Sequence, residues 1–289
     1  MSASGVMKAI ALGALTLILA AAVAFAVRPQ LRAALLAELS DPADLPALPT
    51  DARIHYEPQA RACADLVGSI LPAAIIKVES EHGRPFAKPP LVGIYENERA
   101  YARANGLGDP DVVGVSRAGR AMLSPLLCKE EINRLTGVLT HELSHVHFFG
   151  WRPRSAPRPP QWFTEGLAVM ASDGGAAENV SETEAGRAIS RGFGVILDPT
   201  PWSNFQAIPF AAEPPCEGNC DPRSFRQRLA YRQAAMFVAW LRGRDREGFS
   251  RLMRTLEKGD NFDAAFKAAF DGTPWERWKD FSSAFQASR

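Results

Sequence analysis

Histidine is scarce in this chain of 289 residues: there are five, at positions 55, 82, 141, 145 and 147, and none beyond. A histidine-based site must therefore be assembled before residue 148, and a ligand added from downstream must be a carboxylate or a thiolate. Charge of one sign is missing as well. The 33 Lys and Arg are balanced by 32 Asp and Glu, a net charge of +1, which gives no electrostatic footprint for nucleic acid as a partner. No internal repeat or low-complexity tract is present, so residues 51–289 read as one domain long enough to bury a sizeable core. No feature of the sequence encodes an oligomeric state.

Cysteine is limited to Cys63, Cys128, Cys216 and Cys220. This is an even set, and Cys216 and Cys220 flank a short Glu-Gly-Asn turn that can close as a disulfide loop. A second metal site needs more ligands than that one pair supplies, so pairing in an oxidising compartment is expected. Spacing fixes no partner for the other two.

A long uncharged run occurs once, from 9 to 27, between Lys8 and Arg28, and it is about the length that crosses a bilayer. The run predicts an N-terminal transmembrane signal anchor over 1–27. The alternative is a signal peptide cut after Ala24-Phe25-Ala26. Together with the cysteines it predicts a single-pass protein of the cell inner membrane, its main domain on the periplasmic or extracytoplasmic side. Residues 28–39 read as an amphipathic helix, and 28–50 as a whole as that stretch plus a semi-rigid linker containing Pro42, Pro46 and Pro49.

Against this background stands His141-Glu142-Leu143-Ser144-His145, the H-E-x-x-H spacing. Residues four apart on a helix lie one turn above each other, so the two imidazoles can converge on one ion. Glu142 lies roughly 100° round the helix, within reach of a water on that ion without being a ligand. Ile132, Leu135, Leu139, Leu143 and Val146 recur at three and four, the stripe of a helix packed on a core. The two histidines fall almost opposite that stripe, facing a cleft or water; a pair of histidines on a solvated face is the competing reading. His147 projects away from the pair, as a surface residue or as a neighbour of the site. After a proline-rich connection, 153–160, comes Gln161-Trp162-Phe163-Thr164-Glu165-Gly166-Leu167-Ala168-Val169-Met170, an apolar helical segment with a single acid. A carboxylate among such neighbours is costly unless it meets a cation, which makes Glu165 a candidate third ligand for Zn2+; an acid favoured by the helix N-terminus is the alternative.

H-E-L-S-H followed about twenty residues later by P-Q-W-F-T-E-G-L-A resembles the peptidase MA-like branch of the gluzincin zinc metallopeptidases, of the membrane-anchored bacterial type. The metzincin pattern does not fit, since Phe148 and Trp151 stand where it needs Gly and His. The resemblance implies an α+β zincin-like fold: a small mixed sheet over the motif helix and the glutamate helix, with a helical C-terminal subdomain. It implies His141, His145 and Glu165 as zinc ligands and Glu142 as catalytic base. Residues 91–95 read as a strand and 111–123 as a hairpin around Arg117-Ala118-Gly119, and an extended peptide is expected along an edge strand within 112–123. Downstream, 225–242 reads as a helix. Tyr231, the only tyrosine after the motif, is expected to stabilise the oxyanion, or else to pack in the core. Several gluzincins carry an acid four residues after the glutamate ligand; here that position is Val169, and Asp173 is the nearest downstream acid, better suited to a loop or helix end. Phe262, Phe266, Phe270, Trp275, Trp278, Phe281 and Phe285 read as core.

The expected function is zinc-dependent hydrolysis of peptide bonds in a peptide or protein substrate, in the cell envelope. The alternative is a catalytically silent zincin-fold protein that binds peptides or joins an envelope complex.

Overall fold

The computed structural model describes residues 27–197, 208–216, 218 and 220–286, with 13 and 25. In chain order the elements are α1 (Pro29–Glu38), β1 (Ala47–Leu48), β2 (Asp51–Tyr56), α2 (Arg61–His82), β3 (Leu91–Ile94), α3 (Glu98–Ala104), β4 (Gly114–Arg117), β5 (Arg120–Leu123), α4 (Leu126–Lys129), α5 (Leu135–Gly150), α6 (Gln161–Ala171), α7 (Glu182–Ser190), α8 (Pro222–Arg244), α9 (Arg246–Glu257), α10 (Phe262–Phe270) and α11 (Pro274–Gln286). This is an α+β chain.

The strands form one mixed sheet in the order β1-β2-β3-β5-β4. β3 lies parallel to both β2 and β5, while β1–β2 and β4–β5 are antiparallel. Central β3 is covered on both faces, which its run Val92-Gly93-Ile94 allows because no polar side chain alternates with the apolar ones. The β4–β5 hairpin turns through Ala118 and Gly119, with φ of 50° and 82°. Two left-handed residues give the turn whose twist suits a two-residue hairpin. β4 is thereby left as an edge strand.

One face of the sheet carries α2 and α5. Ala64, Val67, Leu71, Ala74 and Val78 of α2, spaced at three and four, meet Leu135, Leu139, Leu143 and Val146 of α5 in one buried cluster. Cys63 is bonded to Cys128 and ties the first turn of α2 to α4; Cys216 is bonded to Cys220, the pairing expected from spacing. Ile132 departs from the expected stripe. It sits in a separate 3-10 turn, Ile132–Arg134, and is 54% exposed, so the helix begins only at Leu135.

The segment read as a linker is part of the fold. β1 pairs with β2, Leu48 is buried, and Pro42 packs so closely on Gly93 that a Cβ there would come within 2.7 Å of it. α1 packs against α3, burying Ala33 and Ala37, and Glu38 and Asp41 pair with Arg117 and Arg120 of the hairpin.

The single-pass inner-membrane expectation is corrected. Among the described residues no helix is long and apolar enough to cross a membrane. α1, at ten residues, spans about 15 Å, half of a hydrocarbon core. The uncharged run 9–27 that prompted the expectation lies outside the described residues apart from 13, 25 and 27.

The C-terminal half is helical. α6 packs on α8 at Gly166, where a Cβ would lie 2.8 Å from the Ala234 backbone, so only glycine permits that approach. Trp162, Phe163, Phe237, Phe262, Phe266, Trp278 and Phe281 fill the core around this contact. Of the aromatics expected there, Phe270 and Phe285 are only partly buried, and Trp275 is 40% exposed because it sits at the start of α11.

Candidate metal centre

The site lies where α5, α6 and α8 meet beneath the edge strand β4. His141 and His145 project one turn apart from α5, and Glu165 reaches across from α6. The His141 and His145 Nε2 atoms are 3.1 Å apart; Glu165 Oε2 is 3.2 Å from the first and 3.4 Å from the second. Three potential ligand atoms thus close a near-equilateral triangle, and the group could hold a metal ion. The histidines are buried rather than on a solvated face: they are 3% and 8% exposed.

His141 is held from behind. His141 Nδ1 donates to the Gly175 carbonyl at 3.1 Å, which leaves the lone pair on Nε2, directed at Glu165 and His145. Gly175 can come that close only as glycine, since a Cβ would fall 2.2 Å from the Gly137 carbonyl oxygen. This backbone carbonyl orients His141 where Val169 offers no carboxylate. Asp173 instead sits in the loop after α6 with φ of 53°, paired with Lys77 at 3.1 Å.

The electrostatics follow from burial and mutual contact. Burial would raise the Glu165 carboxyl, but the His145 and His141 imidazoles outweigh it and hold the group far below 4.5. Burial would lower His145, and the Glu165 and Glu142 carboxylates overcome this and raise it. His145 and Glu165 thus each favour the charged form of the other.

Glu142 lies beside the triangle at 7% exposure. Burial raises its carboxyl above 4.5, against the pull of His141, His145 and a hydrogen bond from Ser116 of β4. β4 makes room for it: a Cβ on Gly114 would come within 2.9 Å of both Glu142 Cγ and Oε1. On the far side, the Tyr231 ring of α8 stacks parallel to His141 at 6.3 Å between centroids. Burial, and then Glu165, push the Tyr231 hydroxyl well above 10, while a hydrogen bond with Gln227 works the other way. Tyr231 is thus both a core residue and a neighbour of His141 and Glu165.

His147 is not on the surface. It is fully buried, and its Nε2 donates to the Arg84 and Pro85 carbonyls at 3.0 and 3.1 Å. Its ring lies 4.3 Å from that of His82, whose Nε2 meets Ser144 Oγ at 2.8 Å. His147 therefore pins the turn after α2 to α5 and contributes nothing to the triangle. Sequence reasoning passed over Gly114, Ser116, Gly175 and Gln227. The Gly174-Gly175 pair was visible as a turn signal, but nothing in it points to a histidine 34 residues upstream.

No family model, no curated protein and no solved structure matches this chain.

Proposed function

We propose that the protein is a zinc-dependent peptidase, with His141, His145 and Glu165 as the ligands and Glu142 as the general base. The observation that carries this reading is the triangle of 3.1, 3.2 and 3.4 Å with Glu142 at its side. A tetrahedral ion with bonds of about 2.0–2.1 Å has ligand–ligand edges of about 3.3–3.4 Å, so these donors have the separation zinc requires. Two imidazoles and one carboxylate are also the donor set of a catalytic zinc that keeps a fourth position open. The resemblance of the H-E-L-S-H and W-F-T-E-G segments to the gluzincins supports the same reading, and with it a zincin-like arrangement of sheet and helices.

A zinc ion held there would polarise the scissile carbonyl and acidify a water. Glu142 would take the proton of the attacking water and return it to the leaving nitrogen, a task that a carboxyl raised above its ordinary value by burial suits better than an unperturbed one. Tyr231, kept protonated by burial, is a hydroxyl donor toward the developing oxyanion. The Gly175 carbonyl keeps His141 in one tautomer throughout. An extended peptide would pair with the open side of β4, which brings its carbonyls past Glu142.

The test compares zinc content and peptide-library hydrolysis of the native chain and Glu142→Gln. One zinc in both, with cutting by the native chain alone, supports the peptidase. Zinc in both and cutting by neither favours a silent peptide-binding protein, and zinc in neither removes the ligand assignment.

A further inference from the structure

The connection between α5 and α6 carries three arginines, Arg152, Arg154 and Arg158, and the chain has no acid between Glu142 and Glu165. Their placements differ. Arg152 is buried and structural: its guanidinium donates to the Leu256 carbonyl and, at 2.7 Å, to the Pro157 carbonyl. Pro159 is buried as well, and Pro153 and Ala156 close on Gly259. The backbone on both sides of Arg158 is therefore anchored, and Pro157 and Pro159 restrict it further.

Arg158 itself is exposed, and its guanidinium lies over the Phe149 ring at 5.6 Å. Phe149 is one turn beyond His145 on α5, and the two rings stack at 6.4 Å. An uninterrupted series thus runs from a metal ligand to an aromatic platform to a cation. Arg158 makes no ion pair among the described residues, so its donors are free for a ligand. Gln161, one turn before Glu165 on α6, adds a buried Oε1 with no hydrogen-bond partner.

We propose that Arg158, seated on Phe149, is a specificity-determining residue that binds a carboxylate of the substrate. The proposal rests on the peptidase reading of the same site and names the class of peptide it takes. A guanidinium presents a planar fork that matches a carboxylate, and its stacking on Phe149 pre-orders the long side chain. The two ring-to-group steps, 6.4 and 5.6 Å, are covered by about three residues of extended peptide. The carboxylate therefore lies within about three residues of the scissile bond. It belongs to an Asp or Glu side chain or to a C-terminus.

The experiment uses the zinc-loaded full chain and a peptide series identical except for Glu, Gln or Lys at each position near the scissile bond, each as free acid and as C-terminal amide. The expected ratio of kcat/KM for carboxylate over neutral peptide is about tenfold at low salt and declines as salt rises. Arg158→Ala brings the ratio to about one, Arg158→Glu inverts it toward a Lys peptide, and Arg154→Ala leaves it in place. A preference that follows the free acid assigns the C-terminus; one that follows Glu assigns a side chain. Affinities of fluorescein-labelled copies of the same peptides for zinc-loaded Glu142→Gln, with and without Arg158→Ala, give a second reading independent of turnover. Cutting without carboxylate preference, or a preference that survives Arg158→Ala, overturns the inference and leaves the peptidase standing. Carboxylate-dependent binding lost in Arg158→Ala, with no cutting by the native chain, overturns the peptidase and leaves the inference. Neither cutting nor carboxylate-dependent binding overturns both.

Discussion

Glu142 occupies a slot that β4 leaves open at Gly114, and the catalytic proposal depends on that vacancy as much as on the carboxyl. Gly114→Ala adds a Cβ within 2.9 Å of the side chain and is expected to lower kcat at least tenfold while zinc content stays at the native level. A variant that loses zinc with activity would instead mean that the strand supports the ligands. Tyr231→Phe separates two roles in the same way. If the hydroxyl serves the oxyanion, kcat falls by about 10²-fold with KM little changed. If the ring only packs, the isosteric variant keeps kcat. At Glu165 the prediction concerns the metal: Glu165→Ala removes a ligand that sits 3.2 and 3.4 Å from the two imidazole nitrogens, and zinc should dissociate at least a hundredfold more readily in a chelator competition.

Among the elements, the site depends on how closely α6 approaches α8. Gly166 follows the proposed ligand Glu165 directly, and α8 carries Tyr231, so one close contact sets the distance between the two side chains. Gly166→Val must push the helices apart. The expected cost is about 1–3 kcal/mol in urea unfolding, accompanied by weaker zinc binding because Glu165 is displaced from α5. Unchanged zinc affinity in a destabilised Gly166→Val chain would show that the triangle tolerates a shift of α6. The Cys63–Cys128 bond joins α2 to α4 across 65 residues of sequence, the longer of the two closures. Replacing both cysteines by serine is expected to cost about 2–4 kcal/mol, read as a lowered urea midpoint.

Over the whole molecule, the buried histidine pair His82 and His147 couples stability to pH. Burial, the leading cause for both, holds them below 6.5, in His82 well below. The unfolded chain therefore takes up protons below about pH 6.5 that the folded chain refuses, and stability falls as pH drops through that range. The slope reaches at most about 1.4 kcal/mol per pH unit for each histidine. Urea midpoints of the metal-free chain between pH 8 and 5.5 measure it, and His147→Gln should flatten the curve. Glu165 acts in the same direction over a more acid range: its carboxyl is depressed, so its contribution is present above 4.5 and lost only in stronger acid. His145, raised by Glu165 and Glu142, contributes in the opposite direction, so the decisive comparison is between chains: a metal-free His147→Gln chain with the same pH slope as the native one would contradict the histidine account.

Much of this was legible in the sequence because helix and hairpin geometry is local. The four-residue spacing of His141 and His145, the stripe of Leu135, Leu139, Leu143 and Val146, and the Ala118-Gly119 turn each follow from neighbours on one element, and the structure has all three. The Cys216–Cys220 bond followed in the same way, whereas the α+β class was implied by the resemblance and the structure has it. Tertiary structure alone decided that His147 is buried, that residues 40–50 join the sheet and the fold around it, and that Cys63 meets Cys128. It also decided that His141 rests on the Gly175 carbonyl and that Gly114 shelters Glu142. The physical reason is common to all of these. A side-chain pattern records which face of an element is apolar, whereas a backbone carbonyl or a missing Cβ carries no residue-type signal until two distant segments are brought into contact.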